Sequence, residues 1–126
     1  EVIIINAFGV LADFYKYSKS VFIGKSLDKR FLNDGGQNPI DAAYSGCKVY
    51  HGPYVYNFQE IYSILALHNI SKIIHSPREL AENLAIDINN VSEDNQNFSH
   101  LLNELSHKTL KDVMKNIDLF LLNENK

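Results

Sequence analysis

With 126 residues, 45% of them hydrophobic and 21% charged, the chain has the composition of one globular domain, and it contains no apolar stretch of the roughly 18 residues that a membrane span needs. Its net charge of -3, with basic residues dispersed among acidic ones, offers no basic stripe for phosphates and argues against a nucleic-acid partner. The single cysteine, Cys47, adjoins an apolar run and is expected to be a buried, reduced side chain in the cytosol.

Short apolar runs alternate with helical patterns along the chain, which is typical of strand–helix–strand units that build a parallel sheet. The predicted strands are residues 2–5, 20–23, 47–50 and 70–74. The sequence therefore predicts an α/β fold in which a Rossmann-like parallel sheet is flanked by helices.

Apolar residues recur at helical spacing between these strands. A first helix is predicted over residues 9–17, and a short one follows Asn38 and Pro39, which resemble an N-cap with proline at the first helical position. The short helix is expected to end near Gly46.

Two later helices begin with the spacing of a capping box. Asn57 with Glu60 predicts a helix through residue 67, and Ser76 with Glu79 predicts another. The residues expected to face inward are Phe58, Ile61, Tyr62 and Leu65 on the first helix and Leu80, Ala81 and Leu84 on the second. After a polar loop over residues 89–97, the chain is predicted to be helical again from about Phe98. The apolar face of this terminal amphipathic helix is formed by Leu110, Val113, Met114, Ile117, Phe120 and Leu121.

A glycine pair before the short helix is the first candidate site. Gly35 and Gly36 allow a backbone to approach a ligand, and the helix that follows Asn38 points free N–H groups toward it, which suits a phosphate. Asp41, in the first turn, has the chemistry to accept hydrogen bonds from ribose hydroxyls. The same pattern also fits a tight turn with a capped helix.

A second candidate lies in the loop after the third predicted strand, where open α/β sheets bind ligands. Tyr54 and Tyr56 are suited to flank a base or sugar. An equally good interpretation is that the two tyrosines pack the loop and that Asn57 only caps the following helix. The five histidines lack a paired metal spacing, so no metal site is predicted.

The loop after the second predicted strand contains Gly24 and Ser26. Ser26 is a candidate phosphate contact, although a hydroxyl that satisfies its own turn is the commoner outcome. The charged residues of the same loop, Lys25, Asp28, Lys29 and Arg30, fit a solvated loop or a surface that meets an anionic acceptor.

Several of these segments, taken together and in this order, resemble the 3-deoxy-D-manno-octulosonic acid (Kdo) transferase family. The matching segments are VFIGKSL at residues 21–27, GGQNPIDAA at 35–43, GCKVYHGP at 46–53 and NF at 57–58. The resemblance extends over about residues 5–62. It implies a glycosyltransferase of the GT-B type, in which two Rossmann-like domains face a cleft.

The resemblance also implies an activity. Such enzymes transfer Kdo from CMP-Kdo to a lipid A precursor at the cytoplasmic face of the inner membrane, with inversion and without a metal or other cofactor. We expect residues 1–126 to be part of the C-terminal domain, which binds the donor nucleotide. The general base is expected in an N-terminal domain that this chain lacks, and any membrane association is expected to come from that part as well. This chain is therefore expected to bind the donor without catalysing the transfer.

The family's donor-binding residues fall on identifiable positions of this sequence. The loop before the glycine pair corresponds to Gly24 and Ser26, and the later loop asparagine to Asn57. The positions expected at the nucleotide-binding helix are Gly35, Gly36, Gln37, Asn38 and Asp41.

Some positions depart from the family pattern. Asp41 stands where a glutamate is usual, Gln37 replaces a common histidine, and Val10 replaces a glutamate between a glycine and a leucine. The loop over residues 27–34 is longer than usual. Two alternatives remain open: another GT-B nucleotide-sugar enzyme, such as a uridine-nucleotide transferase or an epimerase, and a truncated copy that acts only as an interaction module.

Overall fold

The computed structural model describes residues 2–90 and residues 100, 103, 104, 106 and 107. Residues 100, 103, 104, 106 and 107 are helical, in agreement with the helical stretch predicted from about residue 98, whereas the predicted apolar face of the terminal helix and most of the polar loop before it lie outside the described residues. The helices and strands, in chain order, are α1 (Leu11–Tyr15), β1 (Ser20–Ile23), α2 (Ile40–Tyr44), β2 (Lys48–His51), α3 (Gln59–Leu67), β3 (Ser71–Ile73) and α4 (Pro77–Asn89). Short 3-10 helices occur at Lys29–Phe31 and Tyr56–Phe58.

The three strands form an open parallel sheet in the order β1-β2-β3. Ser20 pairs with Lys48, and Val49 pairs with Ser71, so all three strands end at the same edge. Each connection passes through a helix, because parallel neighbours cannot be joined by a tight hairpin. The predicted α/β class is confirmed as a small parallel sheet flanked by helices, an arrangement compatible with a Rossmann-like fold.

The core lies between the central strand and the helices that contact it. Val49 on β2 and Ala42 and Ala43 on α2 have no solvent exposure, and the two small side chains let the helix approach the strand closely. Cys47 is fully buried, as predicted, and its thiol donates to the carbonyl oxygens of Tyr15 (3.2 Å) and Ser18 (3.3 Å).

The prediction of a strand at residues 2–5 is wrong. This run has no strand partner among residues 2–90, and the side chains of Val2 and Ile4 are about 90% exposed. Its β-branched residues favour extended backbone, but a strand also needs a neighbour that shares its hydrogen bonds. The described sheet therefore has three strands instead of four.

The predicted capping box at Asn57 and Glu60 is also wrong. Asn57 lies inside the 3-10 helix, α3 begins only at Gln59, and no side chain caps it. The Asn57 amide donates instead to the carbonyl oxygen of Asp34 (3.0 Å). At α2, by contrast, the Asn38 carbonyl oxygen Oδ1 accepts from the N–H of Ile40 (2.9 Å), although the helix begins one residue after Pro39.

The predicted start of α4 is confirmed. The Ser76 hydroxyl accepts from the N–H of Glu79 (3.1 Å), and Pro77 is the first helical residue. Leu80 and Leu84 are half-buried, but Ala81 is exposed, contrary to the prediction. One residue along a helix turns by about 100°, which takes Ala81 off the stripe formed by the two leucines.

A carboxylate on α4 joins this helix to the sheet. Asp87 accepts from the hydroxyls of Ser20 (2.6 Å) and Tyr50 (2.7 Å) and lies 3.4 Å from the ammonium of Lys48. Burial alone would raise the pKa of Asp87, but these hydrogen bonds and the lysine charge outweigh it and lower the pKa.

No helix within the described residues is long and apolar enough to cross a membrane.

Candidate functional site

A cleft of about 370 Å³ opens beside β1, between α1 and the chain segment that leads into α2. It includes four of the eight residues predicted to bind the donor nucleotide: Gly24, Gln37, Asn38 and Asp41. The remaining lining residues are Leu11, Tyr15, Val21, Phe22 and Ile23. Residues from three separate segments of the sequence, 11–15, 21–24 and 37–41, thus meet at one opening, next to the carboxyl end of a parallel strand.

The polar side of the cleft is formed by the start of α2. Gln37, Asn38 and Asp41 are all exposed to solvent. No backbone carbonyl of the described residues accepts from the N–H groups of Asp41 and Ala42, as expected at a helix start. This side therefore offers a carboxylate, two side-chain amides and helix-terminal N–H groups to a ligand.

The opposite side of the cleft is apolar and comes from α1 and β1. Leu11 is 60% exposed, whereas Tyr15 is 8% exposed. Burial, and secondly the negative charge of the nearby Asp41, raises the pKa of Tyr15. The sequence predicts only a helix at Leu11 and Tyr15, because helical spacing does not distinguish a core side chain from one that lines a cleft.

The glycine pair is packed against protein instead of lining the cleft. Gly35 and Gly36 have φ values of +70° and +79°, which favour glycine. A Cβ at Gly35 would lie 2.6 Å from the amide nitrogen of Asn57, and one at Gly36 would lie 3.0 Å from a methyl group of Val55. The pair therefore allows a close approach between two loops, and Asn57 lines a separate open groove formed by residues 56–61.

Ser26 is fully buried, and both hydrogen-bonding roles of its hydroxyl are occupied. The hydroxyl donates to the carbonyl oxygen of Ile23 (2.6 Å) and accepts from the N–H of Gly52 (2.9 Å). Tyr54 donates its N–H to the Ser26 carbonyl oxygen (2.9 Å). A Cβ at position 52 would overlap that same oxygen. Ser26 thus fastens the loop after β1 to the loop after β2.

Tyr62 packs against His51 and hydrogen-bonds to the segment that carries Gln37. The Nδ1 of His51 donates to the carbonyl oxygen of Gly52 (2.7 Å), and its ring centroid lies 4.1 Å from that of Tyr62. Burial lowers the pKa of His51, which favours the neutral ring. The Tyr62 hydroxyl donates to the carbonyl oxygen of Gln37 (3.0 Å) and so fixes the backbone at the polar side of the cleft. Its spacing had identified Tyr62 only as a core residue.

The second predicted loop contributes its aromatic residues to packing. Tyr54 is half-buried, and the hydroxyl of Tyr56 donates to the carbonyl oxygen of Asn33.

Within the described residues, no group of three His, Cys, Asp or Glu side chains is arranged to hold a metal ion. No protein-family model matches the chain, and a comparison with curated proteins finds no significant match.

Proposed function

We propose that the chain binds the nucleotide of an activated sugar in the cleft beside β1 and that, as its resemblance to Kdo transferases implies, this donor is CMP-Kdo. One observation carries the proposal: Gly24, Gln37, Asn38 and Asp41 line the same opening although they come from two segments of the sequence. Ligands of open α/β sheets bind at the carboxyl ends of the strands, where this opening lies.

The chemistry of the cleft suits a nucleoside phosphate. The Asp41 carboxylate supplies acceptors for the two ribose hydroxyls, and the N–H groups at the start of α2 are donors for a phosphate. The exposed side chain of Leu11 provides an apolar surface for the base. The volume of about 370 Å³ lies within the usual range of small-molecule sites.

The other four predicted site residues have supporting roles in this proposal. Ser26 joins the loops after β1 and β2, while Gly35, Gly36 and Asn57 let the segment before α2 pack closely against the second of these loops. They hold Gly24 and Gln37 in place without touching the nucleotide. In the complete GT-B enzyme, another domain supplies the general base and transfer to the lipid A precursor takes place at the cytoplasmic face of the inner membrane.

Titration of CMP into the chain, followed by amide chemical shifts, tests the proposal. We expect saturable shifts at residues 24 and 37–42 and weaker shifts with UMP. Asp41→Ala should weaken CMP binding by about 1–3 kcal/mol, because the ribose hydroxyls lose a charged acceptor. The matched control is Asp13→Ala, which removes an exposed carboxylate paired with Lys16 on α1 and should leave the affinity unchanged.

Two results would contradict the proposal. One is the absence of saturable shifts from a chain whose spectrum shows that it is folded. The other is an equal affinity for CMP in the Asp41→Ala variant and the unsubstituted chain. A preference for UMP over CMP would instead favour the uridine-nucleotide alternative among GT-B enzymes.

A further inference from the structure

Resting on the nucleotide-binding function proposed above, we infer that Lys25 neutralises the anionic part of the donor at the mouth of the cleft, and that Asp34 holds the lysine when no ligand is bound. Lys25 follows the cleft-lining Gly24 directly in the chain. Its ammonium lies 3.8 Å from the carboxylate of Asp34. This assigns a specificity-determining role to a residue that would otherwise be one charge of a solvated loop.

A cation near the cleft would offset the negative charge of its lining. Asp41 is the one lining residue that carries a full charge at neutral pH, and that charge is negative. A sugar nucleotide brings at least one further negative charge on its phosphate. Two like charges in one partly desolvated cleft repel each other unless a positive group lies between or beside them.

The backbone at Lys25 is held in an unusual conformation next to the cleft. Its φ is +55°, in the left-handed region that a residue with a Cβ seldom adopts. The Ser26 hydroxyl bonds to the carbonyl oxygen of Ile23 and to the N–H of Gly52, so the chain is fixed on both sides of Lys25. Such strain persists where the surroundings impose it, and it concentrates at binding sites.

The ion pair with Asp34 is loose enough to be exchanged. Both side chains are about half exposed, and their separation of 3.8 Å contrasts with the 2.7 Å contact between Arg30 and Asp28 in the same loop. Asp34 itself is anchored, because its carbonyl oxygen accepts from the Asn57 amide. The partner that exchanges is therefore the lysine, and a phosphate competes for it with more acceptor atoms than a carboxylate has.

A second lysine adjoins the cleft in sequence but is engaged elsewhere. Lys16 follows the lining residue Tyr15, and its ammonium lies 2.9 Å from Asp13 on the exposed side of α1. Substitution of Lys16 changes the net charge of the chain by the same amount as substitution of Lys25. Lys16 is therefore a matched control for general electrostatic effects.

Parallel titrations with CMP and with cytidine, which lacks the phosphate, test the role of Lys25. Lys25→Gln should weaken CMP binding about tenfold and leave cytidine binding nearly unchanged, whereas Lys25→Arg should retain most of the CMP affinity. Asp34→Asn should strengthen CMP binding by releasing the lysine, and Lys16→Gln should have little effect. The salt dependence of CMP binding should be smaller in Lys25→Gln than in the unsubstituted chain.

The same titrations separate failure of this inference from failure of the nucleotide proposal. If CMP binds but Lys25→Gln loses equal affinity for CMP and cytidine, or loses none, the inference is wrong and the nucleotide proposal stands. If the folded, unsubstituted chain binds neither compound, both are wrong. Lys25→Gly removes the charge and the backbone strain together, so it provides the same test should Lys25→Gln fold poorly.

Discussion

The Ser26 hydroxyl joins two loops that are 26 residues apart in the sequence. Ser26→Ala removes the acceptor for the N–H of Gly52 and the donor to the carbonyl oxygen of Ile23, both in a site without solvent. We expect the free energy of unfolding to fall by about 1–3 kcal/mol, because a buried polar group without a partner keeps its full desolvation cost. Urea denaturation, followed by circular dichroism, measures this loss.

The control for this prediction is Ser63→Ala. The Ser63 hydroxyl is exposed and bonds only to the carbonyl oxygen of Gln59 in its own helix, so its removal should change stability by less than about 0.5 kcal/mol. If the Ser26 and Ser63 variants unfold at the same urea concentration, the proposed role of Ser26 in joining the loops is incorrect.

The sequence predicted the residues on the polar side of the cleft, but it did not predict the hydrogen bonds that hold these residues in place. Gln37, Asn38 and Asp41 lie together because they belong to one short segment, which local patterns describe well. The bonds from Ser26 to Gly52 and from Tyr62 to Gln37 depend on which loops meet in space. No local spacing contains that information, because a hydroxyl has the same preferences in a turn, a loop contact or a ligand site.

At the level of elements, α4 is joined to the sheet by the polar contacts of Asp87 and by a hydrogen bond from the ammonium of Lys72 on β3 to Asn83 (2.7 Å). None of its residues is buried, and Asp87 receives the hydroxyls of Ser20 and Tyr50. Asp87→Ala should lower the free energy of unfolding by about 1–3 kcal/mol, since the fully buried Tyr50 loses the acceptor of its hydroxyl. Faster amide hydrogen exchange in α4 than in the central strand should accompany the loss.

The contribution of Asp87 also has a defined pH dependence. Because folding lowers its pKa, the folded state binds a proton less readily than the unfolded state. The stabilisation is complete above the unfolded value, near 4, and is lost as the pH falls through the lower folded value. Glu82→Ala, which removes an exposed carboxylate paired with Arg78 on the same helix, should preserve both the stability and this pH dependence. Equal pH profiles for the Asp87 and Glu82 variants would contradict the assignment.

The three strands of the sheet were predictable, because apolar β-branched runs between helical patterns give a signal that is local and strong. The same signal at residues 2–5 gave a wrong strand. Whether such a run joins a sheet depends on the neighbours available to it, and a pattern of residues along the chain does not specify these neighbours. Likewise, Asn57 has the chemistry of a helix cap, but its side-chain amide donates instead to the carbonyl oxygen of Asp34 in a distant loop.

At the scale of the whole molecule, residues 2–8 expose an unusual amount of apolar surface. Ile3 and Ile4 are 77% and 90% exposed, and Phe8 is fully exposed. Contiguous apolar surface of this kind promotes association. We expect the sedimentation coefficient of the chain to rise with concentration, and we expect the Ile3→Lys, Ile4→Lys double variant to keep a constant value and an unchanged urea midpoint.

Leu67→Lys is the control for the association test. Leu67 is 82% exposed at the end of α3, so its substitution adds a charge at an exposed apolar residue outside the N-terminal run and should leave the association unaffected. Association that persists in the double variant, or disappears equally in the Leu67 variant, would show that the N-terminal run does not drive it.

The position of Cys47 makes the chain suitable for selective chemical labelling. Burial raises the pKa of its thiol, so the reactive thiolate is scarce at neutral pH and maleimides reach it slowly. Cys47 is the only cysteine in the sequence, so a thiol-reactive fluorophore would label almost exclusively a second cysteine introduced at an exposed position beside the cleft. A dye attached there would report ligand entry through its emission, without any need to remove the native thiol from the core.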